Sequence, residues 1–216
     1  DWHDAEALPK LMTFVHGDDG VLQRAAAEAL GRIGDKQAVP ALMAAIEDLG
    51  EPVTASSGAA QERAARVREH SLIYALIEIG DRESIVRCAL NTSSTRVRRA
   101  ALVALDQMRA EGFDAGQVVP ALDSSDLVLK NTATWIVGHR PEWGAELVAY
   151  FRKRMSDLPA DETTRKELSQ LMARLAKSSV IQQMLAERLR DETNRDTRLV
   201  VLQAMIASGL TATPTG

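Results

Sequence analysis

ALGRIGDKQAVPAL, Ala29 to Leu42, returns in altered form as ALIEIGDRESIVRCAL, Ala75 to Leu90. The glycine–aspartate pair at the centre of each copy decides the fold. Ahead of it, Leu22, Ala25, Ala26, Ala29, Leu30 and Ile33 recur at helical spacing, which predicts one apolar stripe on a first helix. Gly34 suits a left-handed C-terminal cap, because it has no Cβ to clash there. Asp35 suits the N-cap of a second helix, whose first amide hydrogens lack partners and can be taken by a carboxylate. That second helix carries Val39, Leu42, Ile46 and Leu49 on one face. The pair therefore stops one helix and starts its antiparallel neighbour, and the short turn brings two apolar faces together.

The same pattern runs down the chain. Arg68, Ser71, Leu72, Ala75, Leu76 and Ile79 precede Gly80 and Asp81, and Val97, Ala100, Ala101, Ala104, Leu105 and Met108 form a third first-type helix. Val128–Gly138 reads as a fourth, with PEWGAELVAYFRKRM after it, and Thr164–Ala176 as a fifth, followed by SVIQQMLAERLRD. Arg198–Gly209 opens a sixth, and Glu6–Val15 reads as an earlier second-type helix. Equivalent positions Leu30, Leu76, Leu105, Val137, Met172 and Met205 are spaced by 46, 29, 32, 35 and 33 residues. Four of these intervals suit one hairpin, and the long one is expected to hold an inserted loop at Glu51–Gln61, which is small and polar. A hairpin cannot bury both its faces alone, so hairpins stack. The expected fold is all-α: a right-handed α-solenoid of about five to six hairpins, one domain over residues 1–209, with a flexible tail at 210–216.

Composition agrees. Aromatic residues are 4% of the chain and hydrophobic residues 45%, a balance that suits closely packed helices more than sheets. With 26 basic against 30 acidic residues the net charge is -4, which is not the footprint of a general nucleic-acid binder. The single cysteine, Cys88, excludes an intrachain disulfide, a CxxC site and a CxxCH haem attachment, and reads as a small apolar core residue. No apolar run reaches membrane-spanning length and no signal peptide is visible, so no membrane insertion is expected. A start at Asp1 and a turn-like end, TATPTG, lead to the expectation of a segment from a larger multidomain protein.

VLQRAAAEALGRIGDKQAVPALMAAIED resembles the bacterial HEAT repeat of the phycobilisome-lyase type, a resemblance that speaks for fold. EHSLIYALIEIGD, RRAALVALDQM and TATWIVGHRPEWG in succession resemble the HEAT segment of membrane-bound-dehydrogenase-like proteins of planctomycete-type bacteria, over about Arg24 to Met155. That resemblance implies an exported or periplasmic parent, a neighbouring c-type cytochrome domain carrying haem c, and an electron-transfer context. It implies no cofactor, catalytic residue or metal ligand in this segment.

Motif chemistry is sparse. GxGxxG, Walker, GxSxG and HExxH patterns are all missing. HGDDG, His16–Gly20, is read as a helix boundary capped by Asp18 or Asp19 in preference to a metal loop. Aligning the first-type helices stacks an exposed column of Gln23, Glu69, Arg98, Lys130, Arg165 and Arg198. Its last four members are basic and form a candidate partner-binding surface; the competing reading is a salt ladder with Asp126, Asp161, Glu162 and Asp196. His139, Arg140 and Trp143 form a second candidate contact cluster at a turn, whereas Trp135 is assigned to the core. Leu199, Leu202, Met205 and Ile206 leave the last helix apolar nearly all round and are expected to form a docking end. The favoured function is a non-enzymatic scaffold or spacer whose partners are proteins or neighbouring domains. The alternatives are a peptide or protein receptor through a concave surface, and a chromophore-lyase-like or nucleic-acid-acting HEAT protein.

Overall fold

A computed structural model describes residues 5–49, 59–90 and 92–209, and among them the chain forms twelve α-helices and no strand. The fold class is all-α, of the α-solenoid type. The helices divide into two compact units, residues 1–113 and 114–216.

The first unit holds α1 (Leu8–Phe14), α2 (Gly20–Ile33), α3 (Val39–Glu47), α4 (Ala59–Ile79), α5 (Arg82–Leu90) and α6 (Thr95–Gln107). Helices α2, α4 and α6 pack in sequence as one layer, and α3 and α5 pack on each other beside them. The punctuation works as local chemistry requires: Gly34 adopts φ 74° at the end of α2, and the Asp35 carboxylate accepts the Gln37 amide at 2.8 Å. Gly80 repeats the left-handed turn at φ 71°. Asp19 caps α2 by accepting from the Val21 and Leu22 amides at 2.9 and 3.2 Å, so the HGDDG stretch is a helix boundary. Caps of this kind contribute about 1 kcal/mol each. Leu30, Leu42, Ile46, Leu72, Leu76 and Ile85 are fully buried between the layers. Helices α2 and α4 approach so closely that a Cβ on Gly31 would lie 3.1 Å from the Ala75 Cα.

Three expectations are corrected here. The buried stripe of α2 is Gln23, Ala26, Ala27, Leu30 and Gly31, whereas Leu22 and Ala25 face outward. Gln23 is buried, its side-chain amide donating to the Val15 carbonyl at 2.6 Å, and so does not belong to an exposed column. The inserted loop ends earlier than expected, since Ala59–Gln61 are already helical in α4; its residues 51–58, like the tail at 210–216, lie outside the described residues.

The second unit holds α7 (Ala115–Leu122), α8 (Leu127–Gly138), α9 (Gly144–Ser156), α10 (Glu162–Leu175), α11 (Ser179–Asp191) and α12 (Arg195–Ala207). Helices α8, α10 and α12 form one layer in chain order, and α7, α9 and α11 the other. Helix α7 is a short element that the repeat pattern had left unassigned. Asp126, Asp161 and Asn194 cap α8, α10 and α12 through the Leu129, Thr164 and Asp196 amides at 2.8, 2.7 and 2.9 Å. Ile136, Leu147, Phe151, Met155, Met172 and Leu175 are fully buried, and burying a side chain of this size stabilises by about 1.5–3 kcal/mol. A Cβ on Gly144 would run into the Ser178 side chain, so a glycine at the start of α9 lets α11 lie close.

Candidate functional site

The basic column separates into residues that serve the fold and residues that do not. Lys130 on α8 reaches Glu167 on α10 at 2.9 Å, and Arg165 on α10 reaches Asp196 on α12 at 3.0 Å. These are rungs of a salt ladder between successive helices of one layer. Both lysine and arginine side chains are one-quarter exposed and their acids more than half, so each rung contributes about 0–1 kcal/mol. Of the acids expected in the ladder, Asp126 is spent on capping α8. Asp161 caps α10, and its carboxyl sits below the usual range because it accepts from Thr164, with Lys130 nearby adding a smaller effect. In the first unit, Arg98 donates to the Thr92 carbonyl at 2.9 Å, and Glu69 pairs with Arg99. Arg198, exposed on α12, has no ion pair among the described residues.

The turn cluster is held by contacts within the chain, with Trp143 buried and His139 exposed. Trp143 is 6% exposed and packs the start of α9, with the Arg140 guanidinium 5.3 Å from its ring centroid and 3.6 Å from Glu142. His139 donates through Nδ1 to the Trp135 carbonyl at 2.6 Å, and the His139 and Trp135 rings meet at a tilt of 52° with 4.3 Å between centroids. Trp135 itself is 51% exposed, which corrects its assignment to the core. It sits on the outer face of α8 while Ala133, Ile136 and Val137 turn inward.

A feature that sequence reasoning missed lies between α8, α9 and α10: a groove of about 460 Å³ lined by side chains from both layers of the second unit. Asn131 and Lys130 line it from α8, Tyr150 and Arg154 from α9, and Gln170 and Arg174 from α10. Asp123, after α7, accepts the Tyr150 hydroxyl at 3.3 Å and lies 3.7 Å from the Arg154 Nε. Burial, then the Asp123 charge, pushes the Tyr150 phenol up to about 12, so it stays a neutral donor. Lys130 and Arg154 already have carboxylates. Arg174 has none among the described residues, and its stem crosses α8 at Gly138, where a Cβ would come within 3.0 Å of the Arg174 Cδ. The groove thus offers one uncommitted cation, flanked by side-chain amides and a phenol. No sequence motif announces it, because its residues are drawn from three helices at repeat-to-repeat distance.

Elsewhere the chemistry is thin. Among the described residues no three His, Cys, Asp or Glu side chains stand close enough to hold a metal, and no helix is long and apolar enough to cross a membrane. Cys88 is half-buried, and burial pushes its thiol up, with Arg87 acting in the opposite direction.

Comparison with known proteins bears on this arrangement. Residues 22–48 match the PBS lyase HEAT-like repeat. The chain is 30% identical over 140 residues to the phycocyanobilin lyase subunit alpha of Picosynechococcus sp., covering 61% of this chain and 49% of that protein. It therefore spans about half the length of this curated relative. A solved structure, the complex of CpcE and CpcF of phycocyanin lyase from Nostoc sp., aligns over 95% of this chain and 69% of that one, at 20% identity. Its TM-score of 0.34 is too low for the superposition to bear on fold or site. The expectation of a non-enzymatic segment is overturned by the curated relative, which is a subunit of a lyase. Neither the family match nor the curated relative supports the dehydrogenase and cytochrome setting implied by the planctomycete-type resemblance.

Proposed function

We propose that this chain is a lyase-type HEAT protein that takes an open-chain tetrapyrrole of the phycocyanobilin class in the groove of its second unit and works with a protein partner. The observation that carries the reading is the 30% identity to a phycocyanobilin lyase subunit over 140 residues. The groove supplies chemistry that suits such a molecule. A tetrapyrrole with propionate side chains brings carboxylates, for which Arg174 is the uncommitted cation, and pyrrole and lactam N–H and C=O groups, for which Asn131, Gln170 and Tyr150 are donors and acceptors. In this reading Arg174 binds and orients, and the neutral Tyr150 hydroxyl adds a hydrogen-bonding group beside it.

Titration of the protein with phycocyanobilin, followed by visible absorption and induced circular dichroism, tests the proposal. Saturable spectral change is expected, weakened about 10- to 100-fold by Arg174→Ala, since a hydrogen bond to a charged group contributes roughly 1.5–3 kcal/mol. A spectrum identical to the free chromophore at all protein concentrations would refute the binding. Unchanged affinity in Arg174→Ala would remove the groove from it.

A further inference from the structure

Three cations and four acids line the groove of the second unit, so its walls carry an excess of negative charge. A tetrapyrrole with two propionates brings two carboxylates, and Arg174 can answer one of them. The second needs a cation that an acid already holds. Arg154 is held by Asp123, which also accepts the Tyr150 hydroxyl, so drawing Asp123 away strands two partners at once. Lys130 is held by Glu167 at 2.9 Å, and among the described residues the Glu167 carboxylate has no second hydrogen bond or ion pair. The Glu167 side chain is 51% exposed, so its carboxylate regains water as soon as it lets go, and a pair so exposed is of the weak, solvent-screened kind. Asp161, whose charge also reaches Lys130, is fixed in place because it caps α10 through the Thr164 amide at 2.7 Å. Glu167 is therefore the acid that moves at least cost.

Position favours the same pair. Glu167 and Arg174 stand seven residues apart on α10, two turns along one face, while Lys130 stands eight residues before Gly138, the position on α8 that admits the Arg174 stem. At 1.5 Å per residue the levels of the two cations are roughly 10–12 Å apart along one seam. The seam thus has a free cation at one end and, at the other, a cation covered by a side chain that carries the same carboxylate as a propionate arm. Resting on the reading of the groove as a tetrapyrrole site, we infer that Glu167 is a gate on its second anion position: it holds Lys130 and yields it to the second propionate of the ligand. The exchange replaces one carboxylate on Lys130 by another and sends the Glu167 charge into water. A ligand with both carboxylates free can make it, and one whose carboxylates are masked cannot, so Glu167 sets the selectivity of the groove for the dianion.

Phycocyanobilin and its dimethyl ester, titrated by visible absorption into wild type, Glu167→Gln, Lys130→Met and the double variant, test the gate. Glu167→Gln should tighten the free acid about three- to fivefold, the scale of an exposed ion pair, and leave the affinity of the ester unchanged. Lys130→Met should weaken the free acid, and in the double variant the gain from Glu167→Gln should vanish. Far-ultraviolet circular dichroism should be the same for all four proteins, since neither side chain is in the core. No gain in Glu167→Gln, an ester that gains as much as the acid, or a gain that survives Lys130→Met overturns the inference. If Glu167→Gln brings no gain while Arg174→Ala still weakens the free acid, the groove stands as the site and the gate alone falls. A wild-type protein that changes the spectrum of neither ligand overturns the reading of the groove, and the gate with it.

Discussion

Substituting Gly144 by alanine probes the closest approach in the second unit. The added Cβ would meet both the Oγ and the Cβ of Ser178 and lie 3.3 Å from the Ile181 Cγ1. Ser178 is the N-cap position of α11, so relief requires that α9 and α11 separate or that the cap shift. Overpacking of this kind costs about 1–3 kcal/mol. Against it stands the better helix propensity of alanine, up to about 1 kcal/mol but less at a first helical position. The net expectation is a loss of about 1–2 kcal/mol, or roughly 2–8 °C in Tm for a chain of this size. Ser178 makes no side-chain capping bond, so Ser178→Gly alone should cost only a few tenths of a kcal/mol. In Gly144→Ala/Ser178→Gly both colliding atoms are gone, and the cycle should show a coupling of about 1 kcal/mol or more in favour of the double variant. Urea unfolding of the four proteins measures this. A Gly144→Ala protein as stable as wild type, or a double variant no better than the sum of the singles, would sink the close-approach argument.

The two tryptophans of the second unit should separate sharply. Trp143→Ala should destabilise by about 3–5 kcal/mol through the cavity it leaves, whereas Trp135→Ala, half exposed, should cost under about 1 kcal/mol in the same urea assay. The Tyr150 phenol should ionise only near pH 12, read as tyrosinate absorbance. Because the folded value lies above the ordinary 10, its contribution to stability is complete below pH 10 and lost as pH rises toward 12; Asp123→Asn should move the transition to lower pH.

Much of the architecture was legible because its signals are local. A glycine with positive φ ends a helix within a few residues, so the turns at Gly34 and Gly80 could be read without knowing what packs where, although only the first is followed by an aspartate, Asp35, that caps the next helix. The face assignments were harder. In α2 three consecutive alanines, Ala25 to Ala27, give almost no hydrophobic contrast between neighbouring faces, and one position rotates a helix by about 100°. Packing chose the face with Gly31, because only there can α4 come close. The groove around Arg174 was invisible for a different reason: its residues are individually ordinary and become a site only when three helices bring them together.

By itself, the sequence determined the all-helical hairpin repeat and the glycine turns at Gly34 and Gly80, because those signals act within a few residues of the chain. The tertiary structure alone decided which cations are spent and which are free. Lys130, Arg165 and Arg198 are equivalent in sequence. The first two are neutralised by acids on the next helix, and the third is distinguished only by having no such helix beside it among the described residues. Long-range pairing depends on what a neighbour presents across a seam, and no local pattern encodes that.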